Sequence, residues 1–343
     1  MNDEYFMQLA LEEARKGVGL TCPNPPVGAV IVRDGKVIAK GWHQKAGEPH
    51  AEREAIKNAV VNGVESFEGA TIYVTLEPCS TCGRTGACTD AILEKGFGRV
   101  VYGARDVNPD HVGAADRVLE AGGVEVVSGV LAKECEVLIR GFGKRIVTGL
   151  PWVIAKSAMS LDGRITRPDG EGQWLTGEEA RAEAHSIRAE VDAIVVGGKT
   201  VRRDNPCLTI RGEAYREEKV QPWRVVLTQS GKKNLPLDAS IFTDEAKDRT
   251  LLYEDVSLEE SLRKLGDLGC NSVLLECGGV LMRQFLDLDL VDEVAVFFAP
   301  MLTGGGDFGF GVGAHLQKSL ALEEMKVKQV GDDVLFRGVV RGR

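Results

Sequence analysis

Residues 3–17 place Phe6, Leu9, Ala10 and Ala14 at the spacing of an amphipathic helix, directly behind the acidic start Met1-Asn-Asp-Glu. Two apolar stretches, Val27 to Val32 and Lys36 to Lys40, then flank Asp34-Gly35, a strong signal for a two-residue hairpin. The pattern goes on to predict a helix from His50 to Val61, a strand from Thr71 to Leu76, and a loop rich in Cys and Gly. After that loop come a helix from Cys88 to Lys95, a strand Arg99 to Gly103, a helix near Ala114 to Ala121 and a strand Val124 to Val127. Strands and helices in this alternation define an α/β domain of three layers.

Arg145-Ile-Val-Thr-Gly-Leu-Pro151 carries the Gly and Pro punctuation of a boundary, and the alternation restarts with a strand Trp152 to Ala158. Short apolar runs ending in glycine follow: Ala193 to Val196 before Gly197-Gly198, Val273 to Leu275 before Cys277-Gly278-Gly279, and Val294 to Phe298 leading to Gly304-Gly305-Gly306. The polar stretch Gly212 to Lys219 reads as an exposed loop. At roughly 150 residues per domain, the 343-residue chain divides into domains at 1–145 and 146–343.

Composition narrows the partners. The formal charge is −9, and residues 1–145 alone carry 17 basic against 20 acidic side chains, so both halves are mildly acidic. Nucleic-acid binders show a basic face. No Lys/Arg block is present, which points to small-molecule partners and no nucleic acid. No apolar run reaches the 18 or more residues needed to cross a bilayer, and the acidic start does not read as a signal peptide. The expectation is a cytoplasmic protein with no membrane association. Eight cysteines in that compartment are thiols or metal ligands rather than a disulfide framework.

The sharpest chemical signal is His50-Ala51-Glu52 followed by Glu77-Pro78-Cys79-Ser80-Thr81-Cys82 and then Cys88. One His, nearby Cys residues and a Glu that is not a ligand form the zinc-deaminase pattern. A catalytic zinc takes three protein ligands, leaves a fourth position for water, and lowers that water's pKa toward neutrality. Glu52 is the candidate to carry the proton to the departing amine. Residues two apart on a helix do not face each other, so His50 and Glu52 share one site only if His50 opens its helix. Pro49, just before it, is compatible with that.

The cysteines are less determined. Generic spacing selects Cys79 and Cys82, but Gly83 and Gly86 disfavour a helix from Cys79, each by about 1 kcal/mol relative to Ala. A helix opening at Cys88 fits better and favours His50, Cys79 and Cys88 as the zinc ligands. Cys82 could still replace Cys88, or join as a fourth ligand and close the position that catalysis needs.

These residues, with Gly83-Arg84-Thr85 and the earlier Pro23-Asn24-Pro25-Pro26-Val27-Gly28-Ala29-Val30, resemble the RibD family of bifunctional riboflavin-biosynthesis deaminase/reductases. In that family a loop of eight residues separates the cysteine ligands, as between Cys79 and Cys88. The resemblance implies a cytidine-deaminase-like N-terminal domain with Asn24, His43 and Glu77 lining a pyrimidine pocket. Read blandly, Asn24 is a turn residue before proline and His43 a surface loop residue.

The second half alone reads only as an α/β domain, since no G-x-G-x-x-G is present. The resemblance continues through Lys156-Ser-Ala158-Met-Ser160-Leu161-Asp162-Gly163, Trp174-Leu-Thr176, Arg188, Gly197-Gly-Lys-Thr200-Val201, Asp204-Asn205-Pro206-Cys207-Leu208-Thr209, Glu276-Cys-Gly278-Gly279 and Pro300-Met-Leu-Thr-Gly304-Gly305. It implies a dihydrofolate-reductase-like domain. Ala158, Trp174, Thr200, Asp204, Gly278 and Gly279 would contact NADPH, while Arg188, Leu208, Arg211 and Glu276 would hold a phosphoribosylaminopyrimidine. Lys156, Asp204 and Glu276 form a candidate polar set for opening and protonating the sugar. For Trp174 core packing is an equal reading, and for Asp204 an ordinary turn. Gly172 stands where the family often has Ser. Enzymes of this type are commonly homo-oligomers, here expected as a dimer or tetramer.

Overall fold

The computed structural model describes residues 2–81, 86–108, 112–215, 217–311, 315–316 and 318–343. The chain forms two compact units, Met1–Gly149 and Leu150–Arg343. The first unit runs α1 (Asp3–Arg15), β1 (Gly28–Arg33), β2 (Lys36–Trp42), α2 (Ala51–Val61), β3 (Thr71–Leu76), α3 (Cys88–Lys95), β4 (Arg99–Ala104), α4 (Ala114–Ala121), β5 (Glu125–Ser128) and α5 (Ala132–Thr148). Its sheet has the order β2-β1-β3-β4-β5. β1 is antiparallel to β2 and β3, while β3, β4 and β5 are parallel.

Strand alternation distributes the side chains between two layers. Val30, Val32, Tyr73 and Val101 meet Phe6, Met7 and Leu11 of α1 and Cys135 and Ile139 of α5 on one face. On the other, Ala29, Ile31, Ile72 and Val100 meet Ala51, Ala55 and Ile56 of α2, Ile92 of α3 and Leu119 of α4. The β1–β2 turn is the expected hairpin: Asp34 and Gly35 both have positive φ, 53° and 72°, as a type I′ turn requires. Gly41 lets α2 lie directly on β2, because a Cβ there would fall 2.3 Å from the Ala55 nitrogen.

Helix α5 lies beyond the last strand that the sequence pattern predicts. It contains Gly141 and Gly143, and only Cys135 and Ile139 on it are fully buried, so its apolar stripe is thin. The boundary expected at 145/146 falls inside its last turn, and the chain divides after Gly149, whose φ of 76° ends the helix.

The second unit runs β6 (Trp152–Ser160), α6 (Glu178–Glu190), β7 (Ala193–Gly197), α7 (Gly198–Asp204), β8 (Trp223–Thr228), α8 (Ser240–Thr243), β9 (Thr250–Glu254), α9 (Leu258–Asp267), β10 (Ser272–Leu275), α10 (Gly279–Asp287), β11 (Glu293–Ala299), β12 (Leu322–Val330) and β13 (Asp333–Val340). The sheet order is β12-β13-β11-β6-β10-β7-β8-β9. The strands from β11 to β9 in that order are parallel, and β13 and β12 close one edge antiparallel. Ala180, Ala184 and Ile187 of α6 cover one face against Trp152, Ile154, Ile194 and Leu274. Leu262 and Leu265 of α9, with Met282 and Phe285 of α10, cover the other against Val153, Val195 and Val273. The stretch expected to be an exposed loop, Gly212 to Lys219, is corrected at its end. Lys219 is 5 % exposed and donates to the Val191 carbonyl at 3.1 Å. Buried lysine ammonium groups need such a partner. No helix among the described residues is long and apolar enough to cross a membrane.

Candidate metal centre and candidate reductase site

His50 is the N-cap of α2, with φ −69° and ψ 164°, so its side chain leaves the helix start while Glu52 sits one residue inside the first turn. That is the condition the His-x-Glu spacing imposed. Cys79 follows the end of β3, and Cys88 opens α3. The Cys88 and Thr89 amides donate to the Cys79 carbonyl at 3.0 and 3.2 Å, closing the intervening loop. Arg53, on α2, donates to the Ala87 carbonyl at 2.8 Å and holds the residue before Cys88.

The ligand atoms converge: His50 Nδ1 lies 3.4 Å from Cys79 Sγ and 3.4 Å from Cys88 Sγ, and all three lie within 4.8 Å of one another. With Zn–S near 2.3 Å and Zn–N near 2.0–2.1 Å, a tetrahedral N–S edge is about 3.5 Å, so the set fits zinc. Hydrogen bonding from Cys88, together with His50, holds the Cys79 thiol down to about 4 against its burial. Cys88, donating to that sulfur and buried, is pushed up. Metals bind the thiolate form. Glu52 is 3 % exposed, and burial, then the Cys79 charge, raises its carboxyl, which suits a group that must both take and give a proton. Cys82, the alternative ligand, lies outside the described residues.

Asn24 and His43 meet beside this centre. His43 is 2 % exposed, so the surface-loop reading is withdrawn. Its Nδ1 lies 3.0 Å from the Pro49 carbonyl, which can only accept, so Nδ1 carries the proton and Nε2 accepts from Asn24 Nδ2 at 3.0 Å. Burial lowers the His43 pKa, consistent with a neutral ring. The His43 ring also meets the His50 ring edge to face, with centroids 5.4 Å apart. Glu77 is turned to backbone, accepting from the Asp106 and Ala115 amides at 3.1 and 3.3 Å.

In the second unit Glu276, directly after β10, is the hub. Arg188 of α6 grips it with two hydrogen bonds, Nε at 2.5 Å and Nη2 at 2.9 Å, and Lys156 of β6 approaches to 3.6 Å. Burial opposes its charge, but Arg188 and Lys156 prevail and hold the carboxyl at about 2. Arg188 Nη1 donates to the Thr209 carbonyl at 3.1 Å. Three of the five N–H donors of Arg188 are therefore engaged within the protein.

Asp204 ends α7, and its nearest ion-pair partner is Arg203 at 3.8 Å; burial raises its carboxyl. No contact described joins Asp204 to Lys156 or Glu276. Trp174 is 58 % exposed beside Arg181, which removes the core-packing reading. Leu208 is buried with φ 54°, and Arg211 is exposed. Ala158, Thr200 and Gly278 come from the C-terminal ends of β6, β7 and β10, adjoining parallel strands where open α/β sheets leave a ligand crevice. A Cβ on Gly278 would lie 3.9 Å from Thr200 Oγ1, which sets the two residues side by side at that crevice. Gly279 is instead packed under the Phe308 carbonyl, 2.0 Å from where its Cβ would be. Sequence reasoning passed over Arg53, His185 and Gln221. Helical spacing offered one signal, since His185 stands three residues before Arg188 on the same face.

Fold and site together define a two-domain enzyme, a zinc deaminase joined to a dihydrofolate-reductase-like reductase. Comparison with known proteins agrees. Residues 1–104 match the cytidine and deoxycytidylate deaminase zinc-binding region, and residues 151–336 match the RibD C-terminal domain. The chain is 37 % identical to the riboflavin biosynthesis protein RibD of Escherichia coli K12, covering 97 % of this chain and 98 % of that one. It is 38 % identical to the Mycobacterium tuberculosis protein of the same name over 98 % and 96 %. Among solved structures, Acinetobacter baumannii RibD superposes with a TM-score of 0.88 at 35 % identity, covering 98 % of both chains. A Thermotoga maritima diaminohydroxyphosphoribosylaminopyrimidine deaminase/5-amino-6-(5-phosphoribosylamino)uracil reductase gives 0.89, again at 35 % identity and 98 % coverage of both. The chain belongs to the RibD family of bifunctional deaminase/reductases of riboflavin biosynthesis.

Proposed function

We propose that the first unit hydrolytically deaminates 2,5-diamino-6-(5-phosphoribosylamino)pyrimidin-4-one, and that the second reduces the ribosyl side chain of 5-amino-6-(5-phosphoribosylamino)uracil to ribityl with NADPH. The observation that carries the first step is the convergence of His50, Cys79 and Cys88 beside the buried Glu52. Zinc, when bound by those three, supplies a Lewis acid that acidifies water near neutral pH. Glu52 takes the proton from the attacking water and returns it to the departing amine. Asn24, its amide oriented by His43, faces the pyrimidine.

In the second unit Ala158, Trp174, Thr200, Asp204, Gly278 and Gly279 form the cofactor contacts of this reading. NADPH, when bound, supplies hydride to the sugar carbon. Lys156 moves a proton to the ring oxygen, with Glu276 setting its position and Asp204 as a second polar group. Arg211 binds the phosphate by paired hydrogen bonds and Leu208 packs on the substrate. Arg188 fixes Glu276 and joins the substrate contacts of this reading. The reading includes a cytoplasmic homo-oligomer with no nucleic-acid partner.

The test is a coupled assay on the purified full chain, following ammonia release and NADPH oxidation from the diamino substrate, with and without a zinc chelator. Ammonia followed by NADPH consumption, both lost on chelation, is the expected result. Ammonia without NADPH use removes the second half of the proposal, and firmly bound zinc with no ammonia removes the first.

A further inference from the structure

Residues 207–211 run from the end of α7 toward a short 3-10 turn at Gly212–Ala214 and belong to neither helix nor strand. The backbone here is unusual, with Asn205 at φ 42° and Leu208 at φ 54°. Buried peptide groups outside a helix or ladder need other partners, and this segment finds them in side chains. Arg224, fully buried, donates from Nη1 to the Cys207 carbonyl at 2.7 Å. Arg188 donates to the Thr209 carbonyl at 3.1 Å. Gln221 treats Ile210 as a neighbouring strand would: Oε1 accepts its N–H at 2.8 Å and Nε2 donates to its carbonyl at 3.1 Å. His185 Nδ1 accepts the Arg211 N–H at 3.3 Å.

The acceptor role of Nδ1 fixes the ring proton of His185 on Nε2. Burial, then the charges of Arg188 and Arg211, hold the imidazole pKa down to about 4, so the accepting lone pair persists through the neutral range. Arg211 itself is exposed and stands as the N-cap of the 3-10 turn. Its N–H is held by His185 and both polar groups of Ile210 by Gln221, while Arg188 holds the Thr209 carbonyl in the same peptide unit as the Ile210 N–H.

We propose that His185 and Gln221 are positioning residues for phosphate binding in the reductase unit: they fix the backbone at Ile210 and Arg211, and so the direction in which the Arg211 guanidinium meets the substrate phosphate. The proposal rests on the reading that Arg211 holds that phosphate. A purely structural role would lower stability and leave the affinity of the folded protein unchanged. A positioning role weakens phosphate binding and spares turnover at saturation.

The experiment uses full-length, zinc-loaded protein. It measures binding of ribose 5-phosphate by calorimetry, and KM and kcat for the uracil substrate, in the wild type, Arg211→Ala, His185→Leu, His185→Asn and Gln221→Glu. Loss of one neutral hydrogen bond corresponds to about fivefold in affinity. His185→Leu is therefore expected to weaken ribose 5-phosphate and raise KM by about five- to tenfold, with kcat within about twofold. His185→Asn, which keeps an acceptor near the Nδ1 position, returns binding to within about twofold. Gln221→Glu keeps the acceptor, loses the donor and weakens binding by a smaller factor; it carries the test alone if His185→Leu does not fold.

Wild-type affinity in His185→Leu and Gln221→Glu, while Arg211→Ala binds weakly, overturns the positioning role and leaves the reading of Arg211 standing. So does a loss confined to kcat, or one that Asn fails to rescue. Unchanged binding in Arg211→Ala overturns the reading of Arg211 and the proposal with it.

Discussion

The two centres of this chain are built on opposite plans. The deaminase centre needs three ligand atoms and one carboxyl, and takes them from the N-terminus of α2, the end of β3 and the N-terminus of α3, all between residues 50 and 88. The proposed reductase centre takes Lys156 from β6, Arg188 from α6, Glu276 from the end of β10 and Arg211 from an irregular segment. In the first, a metal dictates ligand type and geometry, so a short pattern reports the chemistry. In the second, positive and negative side chains are held by one another, and no single residue type identifies the role. Motif strength therefore follows how much of a site's geometry is fixed by one partner atom.

The largest effects fall on the metal centre. Cys79→Ser, or chelation, should abolish ammonia release and bound zinc, while NADPH oxidation with preformed uracil substrate stays unchanged. A parallel loss of reduction would end the view of two independent centres. Glu52→Gln should cut deamination by about 10²–10⁴-fold, the range of a proton-transfer group, with zinc content unchanged by metal analysis.

Glu276→Gln should act first on stability. Removing one partner of a buried ion pair costs about 3–5 kcal/mol, read as a lower urea midpoint for the second unit. The pH dependence follows from the same residue. Its folded value of about 2 lies below the ordinary 4.5, so the stabilisation is complete above about pH 5 and is lost as pH falls through the folded value. The span corresponds to on the order of 3 kcal/mol, to be measured by urea unfolding between pH 6 and pH 2. A flat profile would show that Arg188 and Lys156 do not hold the carboxylate. The smallest effect is expected from Asp204→Asn, whose carboxylate is 40 % exposed and pairs with Arg203 at 3.8 Å. Reduction should fall by less than the ~10²-fold of a proton-transfer residue, with deamination untouched; a loss of deamination alone would assign the units the other way round.

Much of the first unit was legible. The helix expected from Cys88 to Lys95 has those bounds in the structure, and the Asp34-Gly35 turn has both positive φ angles. The missed α5 shows the limit, since its two interior glycines and thin buried stripe hide a helix. Gly143 there lies under Val107, 3.3 Å from where its Cβ would be, a contact local pattern does not encode. In the second unit the apolar runs located β6, β7, β10 and β11, but the partners of their polar ends stayed hidden. Arg188 reads from the sequence as a substrate contact, and its pairing with Glu276, 88 residues away, is visible only in the fold.

The sequence by itself determined the alternation of strands and helices, the chemistry of a His-x-Glu with paired cysteines, and the family. Those depend on local periodicity and on residue types that few other roles require. Tertiary structure alone decided that His43 is a buried neutral partner of Asn24, that Glu276 is clamped by Arg188 and Lys156, and that His185 and Gln221 hold the segment bearing Arg211. Each of these is a contact between residues distant in the chain, whose energies depend on burial and on which charge stands beside which. Neither is set until the sheet has brought its strand ends together.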